Sequence, residues 1–306
     1  MSIALGLLAG LLFLVVSGDA LVRGAVALAE RLGVPALIVS LTLVGFGTSA
    51  PELFVSLQAA LEGEPEIAIG NVIGSNIVNV LLILGLPALF IGVDATRTDG
   101  RASFAIMLGA ALLFGVLALD GSLGRLDGAI LLAGLGAMIL HTVRSGREVP
   151  PEEAPAGGLS AAVTAGLLVA GLVGLPLGAH FFIGAAVDLA EAFAIPDEVI
   201  GLTLVAAGTS LPELSATAIA AWRRKPDVAI GNVIGSNIFN ILGILGVTAL
   251  AVPMPVPGRI MAADFWIMLA TTLLLVPAVF AGMRFSRPAG AVLTGLYGGY
   301  AIWLLD

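Results

Sequence analysis

The 306-residue chain has no cysteine, which excludes a disulfide framework, a zinc–thiolate site and an iron–sulfur cluster. Its two histidines, His141 and His180, are too few for a histidine-based metal centre. Charge is scarce as well: 11% of residues are charged, against roughly 25% in a soluble domain. With so little charge and 59% hydrophobic residues, the chain cannot clothe a water-exposed surface. It reads as a polytopic membrane protein whose partner is the lipid bilayer. The formal net charge of −8 says little about partners, and nothing points to nucleic acid or an obligate protein partner. No basic segment precedes the first apolar run, so that run reads as a retained span rather than a cleaved signal peptide. No cytosolic regulatory domain is visible, so regulation is expected from ion concentrations alone.

What is present is a series of ten apolar stretches, each long enough to span at roughly 20 residues. They cover 3–29, 36–61, 67–93, 102–119, 128–143, 159–190, 198–222, 228–252, 262–282 and 288–305. The first is long enough to imply a tilted helix. The second is interrupted at Gly45-Phe46-Gly47-Thr48-Ser49-Ala50-Pro51 and the seventh at Gly208 to Pro212. Proline removes a backbone donor there, and glycine tolerates unwinding. The polar, Pro-rich stretch 144–157 divides the chain into halves, 1–143 and 158–306.

One stretch occurs in both halves. Gly47-Thr48-Ser49-Ala50-Pro51-Glu52 and Gly70-Asn71-Val72-Ile73-Gly74-Ser75-Asn76-Ile77-Val78-Asn79 lie in the first half, within 45–79. Gly208-Thr209-Ser210-Leu211-Pro212-Glu213 and Gly231-Asn232-Val233-Ile234-Gly235-Ser236-Asn237-Ile238-Phe239-Asn240 lie in the second, within 206–240. The offset is constant, since 213 − 52 and 240 − 79 both equal 161, and a constant offset marks a duplicated structural unit. With the N-terminus outside, ten basic residues fall on the cytoplasmic side (Arg31, Arg97, Arg101, Arg144, Arg147, Arg223, Arg224, Lys225, Arg284 and Arg287). Only Arg125 and Arg259 fall outside, so both termini are placed extracytoplasmically. Five spans per half is odd, and the halves therefore enter the membrane with opposite orientation. The expected fold is all-α: ten transmembrane helices as two inverted five-helix repeats, with helices 2 and 7 broken. That pattern points to a secondary transporter with its site at the midplane.

The repeated stretch carries the chemistry of a cation site. An ionised carboxylate within a span is expensive, about 2.5–3.5 kcal/mol on insertion scales. Glu52 and Glu213, brought together, would repel each other unless a cation lay between them. Hard oxygen ligands suit Ca²⁺ or Na⁺. Unwound backbone at Thr48 and Thr209 offers carbonyl oxygens, and Ser49, Ser75, Ser210 and Ser236 add hydroxyls. Ser75 with Asn79, and Ser236 with Asn240, are four residues apart and share a helix face. Two carboxylates balance one divalent or two monovalent ions, which is the basis for exchange at one site.

These motifs resemble the repeats of the Na⁺/Ca²⁺ exchangers, in the cation/Ca²⁺ antiporter superfamily, and the resemblance covers nearly the whole chain. It implies alternating access by sliding of the first and sixth spans, while the absence of a large connector and of any targeting peptide suggests the inner membrane of a prokaryote. It also implies that Glu52, Glu213 and the Thr48 and Thr209 carbonyls hold Ca²⁺. The four serines and the backbone near Gly45 and Ala206 would complete flanking Na⁺ sites. No cofactor is implied beyond the transported Ca²⁺ and Na⁺. Some relatives, including K⁺-dependent exchangers, carry an aspartate where this chain has Asn240, which argues against K⁺ coupling.

An H⁺/Ca²⁺ antiporter could use the same glutamates. A cation channel is the reading from a different class, although a buried dicarboxylate site favours binding over conduction. An intramembrane hydrolase finds no serine–histidine arrangement near the repeated motifs, so the chain is not read as an enzyme. Asn71, Asn76, Asn232 and Asn237 are expected to tie helices together rather than bind an ion. Asp19, Arg23 and His180, within the first and sixth spans, are expected to be water-accessible or satisfied by partners.

Overall fold

A backbone in hydrocarbon must satisfy its own N–H and C=O groups, and this chain does so almost entirely with helices. The computed structural model describes residues 3–94, 100–146, 159–193 and 208–305. Residues 147–157 of the expected connector, Ala206 and the first part of the seventh expected span lie outside the described residues, while 144–146 continue the preceding helix.

In the first half, α1 (Ile3–Leu32) is followed by α2 (Ala36–Thr48) and α3 (Ala50–Leu61). These two meet at a 44° bend, within the interruption expected over Gly45 to Pro51. Pro51 sits in the first turn of α3, where its missing N–H is harmless to α3 itself. That missing donor leaves the Gly47 carbonyl without a helical partner. Next come α4 (Pro65–Phe90), α5 (Arg101–Asp120) and α6 (Arg125–Gly146). In the second half are α7 (Ala161–Ala192), α8 (Leu211–Trp222), α9 (Pro226–Ala251), α10 (Ile260–Ala281) and α11 (Arg287–Leu305).

Among the described residues, seven helices are long and apolar enough to cross a membrane, or eight when the bent pair α2–α3 counts as one span. Their outward faces carry exposed Leu8, Leu12, Phe54 and Val116, as a lipid-facing surface requires.

Two features were absent from the sequence reading. Helices α2, α4, α9 and α10 each contain a π-helical turn, at Ser40–Val44, Asn79–Ile83, Phe239–Leu245 and Ile260–Asp264. A π turn shifts the helix face by a fraction of a turn and recurs at functional sites. Short extended segments also tie loops together. Strand β1 (Ser122–Leu123) pairs antiparallel with β2 (Met254–Pro255), and Val93 bridges Phe285.

The packing has a constant antiparallel register. Along α1 and α7, Gly10 meets the Phe182 backbone, Leu21 meets Gly171, and Gly24 meets Leu168. A side chain on Gly10 would stand 2.5 Å from the Phe182 nitrogen, so the two helices touch along a stripe of small residues. At the centre, α9 is buried almost throughout and crosses α4. It also touches α2 backbone to backbone: a side chain on Gly235 would lie 2.3 Å from the Leu41 carbonyl oxygen. The core is built from Ile69, Ile73, Ile77, Leu81, Phe114, Ile234, Ile238 and Leu245.

Candidate cation-binding site

The break between α2 and α3 places Glu52 in the first turn of a helix, and Glu213 occupies the first turn of α8. A helix N-terminus presents free N–H groups and the positive end of the helix dipole, so each carboxylate faces a favourable local field. Both glutamates are 1% exposed. The two helix starts face each other. The Ser49 hydroxyl donates to Glu213 Oε1 at 2.8 Å, and the Ser210 hydroxyl donates to Glu52 Oε1 at 3.2 Å. Each serine thus serves the glutamate of the opposite half. The Thr48 and Thr209 side chains also lie within reach of Glu213 and Glu52 respectively.

The carboxylates are held from behind by a second matched set. The Asn71 amide donates to the Glu52 carbonyl at 3.4 Å and to Ser56 Oγ at 2.9 Å. The Asn232 amide donates to the Glu213 carbonyl at 3.2 Å and to Thr217 Oγ1 at 2.9 Å. Asn71 and Asn232 therefore brace α3 against α4 and α8 against α9. Ser56 and Thr217 were missed in the sequence. They stand four residues after each glutamate, at the 161-residue offset, and that coincidence could have marked them.

Helices α4 and α9 bring the amides. Asn79 and Asn240 are each 1% exposed and sit at the π turns of their helices. The Asn79 amide nitrogen donates to Asn237 Oδ1 at 2.9 Å, and that of Asn240 donates to Asn76 Oδ1 at 3.3 Å. Asn76 and Asn237 thus link the helices, as expected from the sequence. Ser236 is fully buried and donates to the Gly45 carbonyl at 3.4 Å, joining α9 to α2. Ser75 is buried one turn before Asn79, and its repeat-equivalent contact would fall on residue 206, outside the described residues.

Among the described residues, four buried oxygens in this region have no hydrogen-bond donor: Glu52 Oε2, Glu213 Oε2, Asn79 Oδ1 and Asn240 Oδ1. A buried acceptor left bare costs about 1–3 kcal/mol, and more when charged. Four of them, contributed in matched pairs by the two halves, form a set that a hard cation would satisfy. Among the described residues, no three His, Cys, Asp or Glu gather elsewhere as a metal cluster.

Asp19, Arg23 and His180 stand apart from this constellation. Asp19 pairs with Arg223 at the end of α8, and more loosely with Arg23 at 3.9 Å. The partner-satisfied reading of Asp19 and Arg23 therefore matches the structure. His180 packs edge-on against Phe181 and is exposed.

Comparison with known proteins gives a consistent relationship. The family profile described as "Sodium/calcium exchanger protein" matches residues 2–143 and 163–305. The chain is 38% identical to the inner membrane protein YrbG of Escherichia coli (strain K12), over 97% of this chain and 94% of that one. It is 34% identical to the sodium/calcium exchanger MaX1 of Methanosarcina acetivorans, over 97% of each chain. Among solved structures, the sodium-calcium exchanger NCX_Mj soaked with zero Na⁺ and Ca²⁺ is similar with a TM-score of 0.87 at 32% identity. The match covers 99% of each chain.

Proposed function

Because this chain belongs to the sodium/calcium exchanger family of membrane-spanning cation/Ca²⁺ antiporters, we propose that it exchanges Na⁺ for Ca²⁺ at a midplane site between Glu52 and Glu213. The observation that carries this reading is the group of four bare, buried oxygens on Glu52, Glu213, Asn79 and Asn240. Two carboxylates neutralise one Ca²⁺, and the two amide carbonyls add neutral oxygens without adding charge. The same two charges balance two Na⁺ when Ca²⁺ leaves. The similarity to MaX1 and NCX_Mj, both named as sodium/calcium exchangers, supports Na⁺ rather than H⁺ as the coupling ion. The Thr48 and Thr209 carbonyls complete the Ca²⁺ sphere. Ser49, Ser75, Ser210, Ser236 and the backbone at Gly45 and Ala206 serve flanking Na⁺.

The fold behind this function is ten spans in two inverted repeats, 1–143 and 158–306, joined by the connector 144–157. The antiparallel register of α1 with α7 supports the inversion, as do the reciprocal Ser49–Glu213 and Ser210–Glu52 bonds. Alternating access comes from sliding of the α1–α7 pair, whose glycine-lined contact presents few side-chain obstacles to movement. The protein sits in an inner membrane with both termini extracytoplasmic.

The test is Ca²⁺ uptake by proteoliposomes loaded with Na⁺ and diluted into Na⁺-free medium at equal pH, beside a set carrying only a pH gradient. Uptake in the first set, lost in Glu52→Gln, is the expected result. Uptake driven only by the pH gradient would replace Na⁺ with H⁺ as the coupling ion. No uptake in either set would overturn the Ca²⁺ assignment.

A further inference from the structure

An asparagine side chain is ambiguous as a cation ligand. One face is a carbonyl oxygen and the other an NH₂ group, similar in shape and opposite in effect. A carbonyl turned to the site binds a cation, whereas an NH₂ turned to it repels one. Something must decide which face Asn79 and Asn240 present.

Two buried relays decide it. In the first, the Asn76 amide nitrogen donates to Met268 Sδ at 3.5 Å. A thioether has lone pairs and no proton to give, so it accepts only. Asn76 must then turn its carbonyl the other way, where it accepts from the Asn240 amide nitrogen at 3.3 Å. Asn240 is left with its own Oδ1 facing away from the relay, buried and without a donor. In the second, the Asn237 amide nitrogen meets two groups that can only accept, Met107 Sδ at 3.7 Å and the Asn76 backbone carbonyl at 3.5 Å. Its Oδ1 accepts from Asn79 at 2.9 Å, and Asn79 Oδ1 is left bare in the same way.

The relays are copies of each other. Met107 and Met268, Asn76 and Asn237, and Asn79 and Asn240 are all separated by 161 residues. Each relay crosses between halves, starting on α5 or α10 and ending on the π turn of α4 or α9. Both methionines are 1% exposed, so water is excluded from competing for the amides.

We propose that Met107 and Met268 are positioning residues for cation binding: by accepting from Asn237 and Asn76 they turn the carbonyl oxygens of Asn79 and Asn240 into the site. The proposal rests on the reading that these two amides are cation ligands. Methionine in an apolar span would ordinarily be gap-filling, and leucine would fill the same space. Leucine, however, accepts no hydrogen bond. With it the Asn76 amide can flip, and the flip propagates to the ligand; the Asn237 amide keeps the Asn76 backbone carbonyl, so loss of Met107 loosens that relay without freeing it.

The experiment is equilibrium Ca²⁺ binding to the purified full chain, with Met268→Leu and Met107→Leu in three backgrounds. These are wild type, Asn240→Ala and Asn79→Ala. The swap conserves volume, so folding is expected to survive, and thermal unfolding of each protein is followed alongside. One lost hydrogen bond of ordinary strength predicts that Met268→Leu weakens Ca²⁺ binding about 3- to 10-fold in wild type. The effect should vanish in Asn240→Ala, whose ligand the relay serves, and persist in Asn79→Ala. Met107→Leu should show the reverse pattern with a smaller effect, because the Asn76 backbone carbonyl still accepts from Asn237. A purely structural methionine would act equally in both backgrounds, and that result would overturn the proposal, as would unchanged affinity in both Met→Leu proteins. Glu52→Gln is included so that the failures separate. Unchanged Ca²⁺ binding in Glu52→Gln would overturn the site itself. Loss there, with unchanged binding in both Met→Leu proteins, would overturn the relays alone.

Discussion

Ser49 and Glu213 come from opposite halves of the chain, yet the Ser49 hydroxyl donates to Glu213 at 2.8 Å. The bond orients the carboxylate and leaves Oε2 bare for a ligand. Hydrogen bonds to charged groups contribute about 1.5–3 kcal/mol, so Ser49→Ala should weaken Ca²⁺ affinity by roughly 10- to 100-fold. Ser210→Ala should act in the same way through Glu52. The concentration dependence of Ca²⁺ uptake measures both; affinities within a factor of two of wild type would show that the serines do not orient the glutamates.

Glu52→Gln and Glu213→Gln each remove one of the two negative charges while keeping the side chain's shape. Each should abolish Ca²⁺ transport. Each should also leave the protein folded, because a neutral amide at this depth is less costly than a lone carboxylate. Uptake assays paired with gel-filtration profiles of the purified variants check this. Full transport in either variant would remove the site from its central place.

Asn240→Asp replaces a donor with an acceptor against Asn76 Oδ1, 3.3 Å from the present amide nitrogen. It also adds a third carboxylate to the site. Selectivity should therefore change more than expression. The measurement is Ca²⁺ uptake against varied Na⁺ and K⁺; unchanged dependence on both ions would argue that Asn240 is not a ligand.

Gly235 and Gly136 form a contrasting pair. A methyl group on Gly235 would meet the Leu41 carbonyl at 2.3 Å, whereas one on Gly136 would meet no described atom beyond its chain neighbours and its own helix backbone within 4 Å. Overpacking of this kind costs typically about 1–3 kcal/mol, so Gly235→Ala should lower thermal stability clearly and Gly136→Ala scarcely. Equal melting temperatures would mean that α2 and α9 are not in backbone contact.

Asp19 and Arg223 make a partly exposed ion pair linking α1 to the end of α8. Such pairs contribute about 0–1 kcal/mol, and the pair lies outside the oxygen set. Asp19→Asn should change stability by no more than that and leave Ca²⁺ affinity unaltered. A large loss of affinity, read by equilibrium binding, would place Asp19 in the site.

The break between α2 and α3 and the matched polar positions at the constant 161-residue offset were legible in the sequence. Glu52 and Glu213 stand out because a carboxylate in an apolar span demands an explanation. The crossing of the pairs was not legible. An offset says that Ser49 matches Ser210, but not that Ser49 reaches Glu213 rather than Glu52. That depends on how close the two helix starts come. The π turns were equally hidden, because Asn79–Ile83 and Phe239–Leu245 are as apolar as ordinary α-helix. Met107 and Met268 escaped for a related reason: in a membrane span, methionine reads as packing. Their acceptor role emerges only when Asn76 and Asn237 are seen to face them.

The proposed exchange requires one divalent cation to sit among Glu52, Glu213, Asn79 and Asn240. Anomalous diffraction from crystals soaked in Sr²⁺ tests it most directly. One dominant peak is expected between the two carboxylates, with oxygen ligands near the Ca²⁺ range of about 2.3–2.6 Å and both amide carbonyls turned towards it. The peak should weaken as Na⁺ is raised. A peak away from both glutamates, or one facing the amide nitrogens, in a preparation that still transports Ca²⁺, would contradict it.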